Sequence, residues 1–137
     1  MKTNLVRMLA IAALAAASGL AQNYAILQAD VPFAFTMGNK TMPSGQYLVD
    51  PSLNANVMVF RSADRKHSYL IMGTTVTSPA GQRAPKLVFH RYGGQYFLSE
   101  VWTRGGNQGS QFPRTSRERE LSSQQSNPAA PVTIALR

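Results

Sequence analysis

Residues 31–50 read VPFAFTMGNKTMPSGQYLVD, and this stretch has the pattern of a strand, a turn and a second strand. Val31, Phe33 and Phe35 alternate with smaller or more polar residues, so an extended chain presents them on one face. Residues 37–40, MGNK, tolerate a tight reversal, and Gly45 permits a second reversal after Pro43 and Ser44. The stretch therefore predicts an antiparallel β-fold, with residues 46–49 returning to a sheet.

Two further pairs of apolar runs follow at the spacing of hairpins. Residues 57–61 and 67–76 flank a polar loop, and Gly73 interrupts the second run where we expect a bulge or bend. Residues 86–91 and 96–102 flank the turn YGGQ, which contains two consecutive glycines. Both pairs are predicted to form antiparallel hairpins.

The second hairpin has a definite predicted register. A two-residue turn at Gly93 and Gly94 places Tyr92 opposite Gln95, and counting back from there gives further pairs. These pairs are His90 with Phe97, Phe89 with Leu98, and Leu87 with Glu100. One predicted face carries Leu87, Phe89, Tyr96, Leu98 and Trp102, and the other carries Val88, His90, Phe97 and Val101.

Large apolar groups on both faces of this hairpin predict that both faces are covered. Together with the short strands and polar turns, this indicates an all-β fold, a compact antiparallel barrel or sandwich of six to eight short strands. Of the two, a closed or half-closed barrel with helix cover is favoured. Residues 114–122, RTSRERELS, predict a short C-terminal helix, because Thr115 and Glu118 have the spacing of a capping box.

The chain divides into three segments. Residues 1–21 are predicted to be a signal peptide, with Lys2 and Arg7 before an apolar run and with Gly19 and Ala21 preceding the cleavage site. Residues 22–122 form the predicted single β domain, with a candidate edge strand at 24–27. Residues 123–137 are predicted to be a flexible C-terminal tail that can end in an edge strand at 132–136.

Composition excludes several classes of function. The 137 residues contain no cysteine, which removes thiolate catalysis, cysteine metal sites and lipid attachment through an N-terminal cysteine. The net charge of +8 becomes +6 without the signal peptide, and the remaining basic residues are scattered. This charge favours anionic surfaces, but it does not define a nucleic-acid site. We expect export to the periplasm or the extracellular space, without a stable membrane span after processing.

Three segments, FAFTMGNKTMPSGQYLV, KLVFHRYGGQYFLSEVW and RERELS, resemble a group of small uncharacterised exported bacterial proteins. The shared pattern is VPF-x-F with a Gly-Asn-Lys turn, Pro-x-Gly-x-Tyr, and a hairpin containing FHRYG. The resemblance covers roughly residues 31 to 121. It implies export and a β-rich domain, and it implies no activity, cofactor or site residue.

The candidate catalytic groups are few. Glu118 and Glu120 are expected on the surface of the helix and Asp64 in a turn, which leaves Asp30, Asp50 and Glu100 as pocket acids. In the predicted register Glu100 lies on the face opposite His90, so the two do not form a base and its orienting partner. No metal-ligand spacing or G-x-S-x-G sequence is present. We therefore predict no catalytic residue, metal site or cofactor.

The expected function is surface binding or a structural role in the cell envelope or outside the cell. The partner expected for a basic exported domain is an anionic or glycan envelope component. The alternatives are a small barrel that binds a lipophilic ligand and a hydrolase with an unrecognised site. Aromatic strand residues either pack in the core or form an exposed stacking surface. The candidate binding residues are His90, Arg91, Tyr92, Tyr96 and Trp102.

Overall fold

Eleven β-strands and one α-helix make up the part of the chain that the computed structural model describes, which is residues 25–54, 56–80, 84–103 and 106–137. The side chains at 52–54 are not described, and the predicted signal peptide lies outside these residues. The strands are β1 (Leu27–Val31), β2 (Phe35–Met37), β3 (Lys40–Met42), β4 (Gly45–Asn54), β5 (Val57–Ser62), β6 (Ser68–Met72), β7 (Thr74–Thr77), β8 (Lys86–Tyr92), β9 (Gln95–Trp102), β10 (Gln108–Gln111) and β11 (Val132–Ala135); the helix is α1 (Ser116–Gln124).

The strands form two sheets. The first sheet has the order β1-β4-β5-β6 and is antiparallel throughout. The second has the order β11-β8-β9-β10-β7, and β2 joins it beside β9 with β3 on its far side. Only the contact between β2 and β9 is parallel among these strands. The all-β prediction with a short C-terminal helix is therefore confirmed.

The preference for a closed barrel is wrong, because two predicted strands divide between the sheets. The run that contains Val31 and Phe35 splits into β1 of the first sheet and β2 of the second. The run 67–76 splits at Gly73 into β6 and β7, and these divisions raise the strand count above the six to eight expected. At the other edge of each sheet, where β1 and β11 lie, Leu136 forms an isolated bridge with Ala29 of β1. The sheets are thus connected at both margins without closing into one barrel.

Side chains from both sheets fill the space between them. The first sheet contributes Tyr47, Val49 and Phe60, and the second contributes Leu87 and Phe89, each at most 1% exposed. All five belong to one apolar cluster that includes residues of both sheets. Their burial supplies the main stabilising free energy of the fold, since exclusion of apolar surface from water is the largest favourable contribution to folding.

Residues 43–47, Pro-Ser-Gly-Gln-Tyr, form a turn at the start of β4 that a side-chain hydrogen bond closes. The hydroxyl of the buried Tyr47 donates a hydrogen bond to the carbonyl of Pro43, four residues earlier. Burial raises the pKa of Tyr47, with smaller contributions from Tyr69 and Asp64. Tyr47 therefore fixes the angle at which the chain leaves the turn and enters the first sheet.

The β8–β9 hairpin matches its predicted register only near the turn. Tyr92 pairs with Gln95, His90 with Phe97 and Phe89 with Leu98, as predicted. A bulge between Val88 and Phe89 then leaves Ser99 without a partner on β8, so Leu87 lies opposite Val101 and Val88 lies opposite Glu100. The predicted pairing of Leu87 with Glu100 is wrong for this reason.

The bulge reverses the faces beyond it. Val101 joins Leu87 on the core face and is fully buried, whereas Trp102 moves to the other face. Both predicted assignments, Trp102 with Leu87 and Val101 with His90, are therefore wrong. Glu100 now shares the face of Val88 and His90, which also reverses its expected position.

Helix α1 covers part of the outer face of the hairpin, as the apolar pattern on both faces predicts. Helix α1 packs on β8, and β11 extends the second sheet by pairing with β8 where the edge strand 132–136 is expected. The side-chain oxygen of Thr115 accepts a hydrogen bond from the backbone N–H of Glu118 at 3.1 Å, which is one half of the predicted capping box.

Candidate functional site

A cleft of about 320 Å³ lies where β8, the start of α1 and the segment before β11 meet. Its lining residues are His90, Arg91, Tyr92, Arg114, Pro128, Ala129, Ala130 and Pro131. The strand supplies the polar side of the cleft, and the Pro-Ala-Ala-Pro segment supplies the apolar side. Concave sites of this mixed character are typical of ligand binding.

His90 and Glu118 form the central contact beside this cleft. Nδ1 of His90 lies 2.8 Å from Oε1 of Glu118, a carboxylate that is almost completely buried. The His90 side chain retains 26% exposure. The prediction that Glu118 lies on the solvent side of the helix is wrong, because its carboxylate turns toward β8 and does not complete the capping box.

Tyr92 and Arg114 complete the surroundings of the Glu118 carboxylate. The Tyr92 hydroxyl donates to Oε1 at 3.3 Å, and Nε of Arg114 lies 3.9 Å from the same oxygen. Burial, and then the charge of Glu118, raise the pKa of Tyr92. A buried charge needs such partners, because leaving water without them is strongly unfavourable. The cluster His90, Tyr92, Arg114 and Glu118 is hereafter the Glu118 cluster.

The five candidate binding residues do not share one surface. His90 and Tyr92 lie at the cleft, whereas Tyr96 lies on the core side of the sheet and stacks on Phe33 with ring centroids 3.8 Å apart. Arg91 contributes to the cleft lining, but its Nε donates to the carbonyl of Gly93 and its guanidinium lies over the Tyr96 ring. Arg91 is therefore held along the hairpin turn.

Trp102 does not line the cleft. Its side chain is 7% exposed, and its indole N–H donates to Oε2 of Glu100 at 2.7 Å. Tyr92 is also 7% exposed. These aromatic residues therefore do not form the open stacking surface that was the alternative to core packing, and their role in binding stays a prediction.

The three expected pocket acids have other partners. Glu100 accepts from Trp102, Asp30 pairs with Arg137, and the Asp50 carboxylate lies 3.8 Å from Arg61. Asp64 lies in its predicted turn, where hydrogen bonds from Ser62 and the Lys66 backbone lower its pKa. Within the described ranges, no group of three or more histidine and acidic side chains is arranged to hold a metal ion.

The Glu118 cluster can orient an imidazole for proton transfer. A carboxylate bound to Nδ1 fixes the ring and leaves the second ring nitrogen available to a ligand or to water. The hydroxyl in the cluster belongs to Tyr92, and it donates to the carboxylate and not to the imidazole. The cluster therefore lacks the hydroxyl–imidazole contact that activates a serine nucleophile.

Comparisons with protein-family models, with curated proteins and with solved structures find no match to this chain. In the described segments, no helix combines the length and the apolar character needed to cross a membrane.

Proposed function

We propose that the protein is a non-enzymatic exported domain that binds an anionic envelope polymer, such as an acidic glycan, at the cleft between β8, α1 and residues 128–131. The supporting observation is the charge of the lining. Its ionisable side chains, apart from the Tyr92 phenol, are His90, Arg91 and Arg114, all of them basic.

Arg114 is the main anion-binding group in this proposal. Its side chain is 52% exposed, so the guanidinium can contact a ligand without losing all its hydration. Glu118, the neighbouring acid, is buried and already accepts hydrogen bonds from two other side chains. An arriving carboxylate or sulfate thus meets Arg114 at the surface, where a guanidinium can offer two parallel N–H groups.

The apolar wall suits the remainder of a sugar polymer. Pro128 to Pro131 present short aliphatic side chains to the cleft, and sugar rings combine hydroxyl groups with apolar C–H faces. A polymer that carries acidic groups on such rings can contact both walls. Polar contacts then fix its orientation, as in other small-ligand sites.

The test is equilibrium binding of the purified protein to an immobilised polyuronate, with a neutral glucan as the comparison polymer. Arg114→Gln is expected to weaken polyuronate binding about tenfold, a change equal to about 1.4 kcal/mol. Arg119→Gln is the matched control, because Arg119 lies on α1 just after Arg114 in the chain, contacts Ser116 and does not line the cleft. Equal loss in both variants, or equal binding to the neutral glucan, would contradict the proposed site.

A second candidate function is hydrolysis by water that His90 activates. The observation that favours it is the 2.8 Å contact between His90 and Glu118, which replaces the excluded pair of His90 with Glu100. A panel of glycosidase, esterase and phosphatase substrates provides the test. Turnover that disappears in a folded His90→Gln variant, together with no binding of the natural protein to polyuronate, would support catalysis over the binding function.

The third alternative, a small barrel that binds a lipophilic ligand, has less support. The region between the sheets is filled by the apolar cluster of both sheets, and the sheets do not close into a barrel. A lipophilic ligand would therefore have to occupy the outer cleft, where the ionisable lining groups are mostly basic.

A further inference from the structure

Strand β6 is an unprotected edge of the first sheet. Among the described strands it pairs only with β5, and its other side has no neighbour. Natural edge strands are commonly protected by lysine, proline or a bulge. β6 has the sequence SYLIM and carries none of these.

The side chains of β6 add an apolar surface to this edge. Leu70 is 59% exposed and Met72 is 66% exposed. They lie opposite Val59 and Val57 of β5, which are partly exposed on the same face. These four residues are hereafter the outer patch. A continuous apolar patch on an exposed face indicates an interaction site.

The hydrogen-bond pattern of β5 and β6 identifies the free backbone groups. Ser62 N–H donates to the His67 carbonyl, and Gly73 N–H donates to the Asn56 carbonyl. Ser62 with His67 and Asn56 with Gly73 are therefore hydrogen-bonded pairs of the same ladder in which Val59 lies opposite Leu70. Hydrogen-bonded and non-hydrogen-bonded pairs alternate along an antiparallel ladder. Ser68, Leu70 and Met72 are therefore in non-bonded pairs, and their N–H and C=O groups point toward the open edge.

We propose that the protein forms a symmetric dimer in which β6 pairs antiparallel with β6 of a second copy, centred on Leu70. In this register Leu70 lies opposite its own copy, and Ser68 lies opposite Met72 of the second copy. Ser68, Leu70 and Met72 of each copy then form hydrogen-bonded pairs with the second copy. Because opposite residues in a sheet share a face, the two outer patches join into one apolar surface on β5 and β6 of each copy, within a continuous eight-stranded sheet.

The charge distribution favours antiparallel over parallel pairing of two copies. Arg65 and Lys66 are exposed in the turn that precedes β6. Antiparallel pairing places the turn before one β6 at the far end of the other β6, and it separates the two Ser68 residues, which follow these turns, by four strand positions, roughly 13 Å. That separation exceeds the screening length of about 8 Å at physiological salt, so the basic turns do not repel appreciably. A parallel arrangement would place them side by side.

Sedimentation equilibrium over a wide range of protein concentration tests the proposal. We expect a reversible monomer–dimer equilibrium for the natural sequence, and a weak one, because the edge is only five residues long. Leu70→Lys places two like charges at the symmetry axis and is expected to weaken dimerisation at least about tenfold. Thr133→Lys on β11 is the control, since it adds the same charge to an exposed position on an edge of the other sheet.

A cysteine variant tests the register directly. The chain has no cysteine, so Leu70→Cys introduces a single thiol. Opposite residues of a hydrogen-bonded antiparallel pair have Cα atoms about 5.5 Å apart, which is within the range of a disulfide. Mild oxidation is expected to crosslink the Leu70→Cys protein rapidly and the Thr133→Cys protein slowly.

Each outcome decides the proposal. If circular dichroism shows that Leu70→Lys is unfolded, Met72→Lys on the same edge is measured in its place. A natural protein that stays monomeric at every concentration, equal effects of the edge and control variants, or equal crosslinking of the two cysteine variants would overturn the dimer. Flotation of a monomer with phosphatidylglycerol vesicles, lost in Leu70→Lys, would also overturn it and assign the patch to a lipid surface.

Discussion

His90 on β8 and Glu118 on α1, 28 residues apart in the chain, are joined by a 2.8 Å contact between Nδ1 and Oε1. The contact connects the helix to the second sheet through a carboxylate that is 3% exposed. It also sets one side of the cleft, because the same oxygen accepts from Tyr92. Stability and the shape of the proposed binding site therefore depend on the same residue.

Replacing Glu118 with alanine is expected to lower the free energy of unfolding by about 1–3 kcal/mol, because the buried Tyr92 hydroxyl loses its acceptor. Urea denaturation measures this loss. The matched control is Glu120→Ala, since Glu120 is 55% exposed and pairs with Arg117 on the helix surface. That change is expected to cost less than about 0.5 kcal/mol. Equal losses would mean that the Glu118 contacts do not hold the helix on the sheet.

Local patterns in the sequence predict the turns and hairpins well. The Gly-Gly turn and its first pairs, the β5–β6 hairpin and the bend at Gly73 all depend on neighbouring residues, and all are present. Pro32, directly after β1, marks the break in the run 31–37. The assignment of the two pieces to different sheets depends on contacts between distant residues, which Pro32 does not indicate. The bulge at Ser99 also has no local mark, and one unpaired residue reverses every face beyond it.

The candidate site was predictable only in part. The hairpin sequence indicates His90 and Tyr92, but RERELS, in which arginines alternate with Glu118 and Glu120, predicts charges on the helix surface and no pocket acid. The capping-box spacing from Thr115 to Glu118 predicts that Glu118 lies in the first turn of the helix. It does not predict that the Glu118 side chain is buried. Its burial arises from packing of the helix on β8, a tertiary contact that the polar pattern does not encode.

Phe89 and Phe97 occupy opposite faces of the β8–β9 hairpin and are 0% and 2% exposed. Phe89→Ala and Phe97→Ala are each expected to cost about 3–5 kcal/mol of unfolding free energy, because each leaves a large cavity. Leu70→Ala is the exposed apolar control and is expected to change stability by less than about 0.5 kcal/mol in dilute protein. Losses below about 1 kcal/mol for both phenylalanine variants in urea would show that the hairpin is peripheral to stability.

Gly73 lies where the chain passes from the first sheet to the second, and it has no room for a side chain. A Cβ atom there would lie 2.5 Å from the Gln111 carbonyl oxygen and 2.8 Å from the Phe112 ring. Gly73→Ala is therefore expected to lower stability by about 1–3 kcal/mol in thermal or urea unfolding. Gly94→Ala is the control, because nothing lies within 4 Å of its added atom. If Gly73→Ala left the free energy of unfolding unchanged, β7 and β10 would have to separate easily enough to make room for the added methyl group.

Export is expected to remove residues 1–21 and leave Gln22 as the N-terminus, because Gly19 and Ala21 are the small residues that signal peptidase requires. Intact-mass spectrometry of protein recovered from the native host measures this. An Ala21→Leu variant is the control and is expected to remain uncleaved at this position. A natural protein that begins at Met1 would refute cleavage at this site.

The two buried tyrosines predict a loss of stability at high pH. Burial raises the pKa of Tyr47 and of Tyr92 above the ordinary value of 10.0, so the folded state holds their protons more tightly than the unfolded state. Their contribution is complete below about pH 10 and is lost as the pH rises through the folded pKa values. Unfolding free energy measured in urea is therefore expected to fall above about pH 10.

Tyr47→Phe separates this effect from general alkaline destabilisation. Near neutral pH it is expected to cost about 0.5–1.5 kcal/mol, because the hydrogen bond to the Pro43 carbonyl is lost. Above about pH 10 its stability is expected to fall less steeply than that of the natural protein, since one raised pKa has been removed. Tyr92→Phe is expected to flatten the profile in the same way. Parallel pH profiles for all three proteins would show that neither phenol has a raised pKa in the folded state.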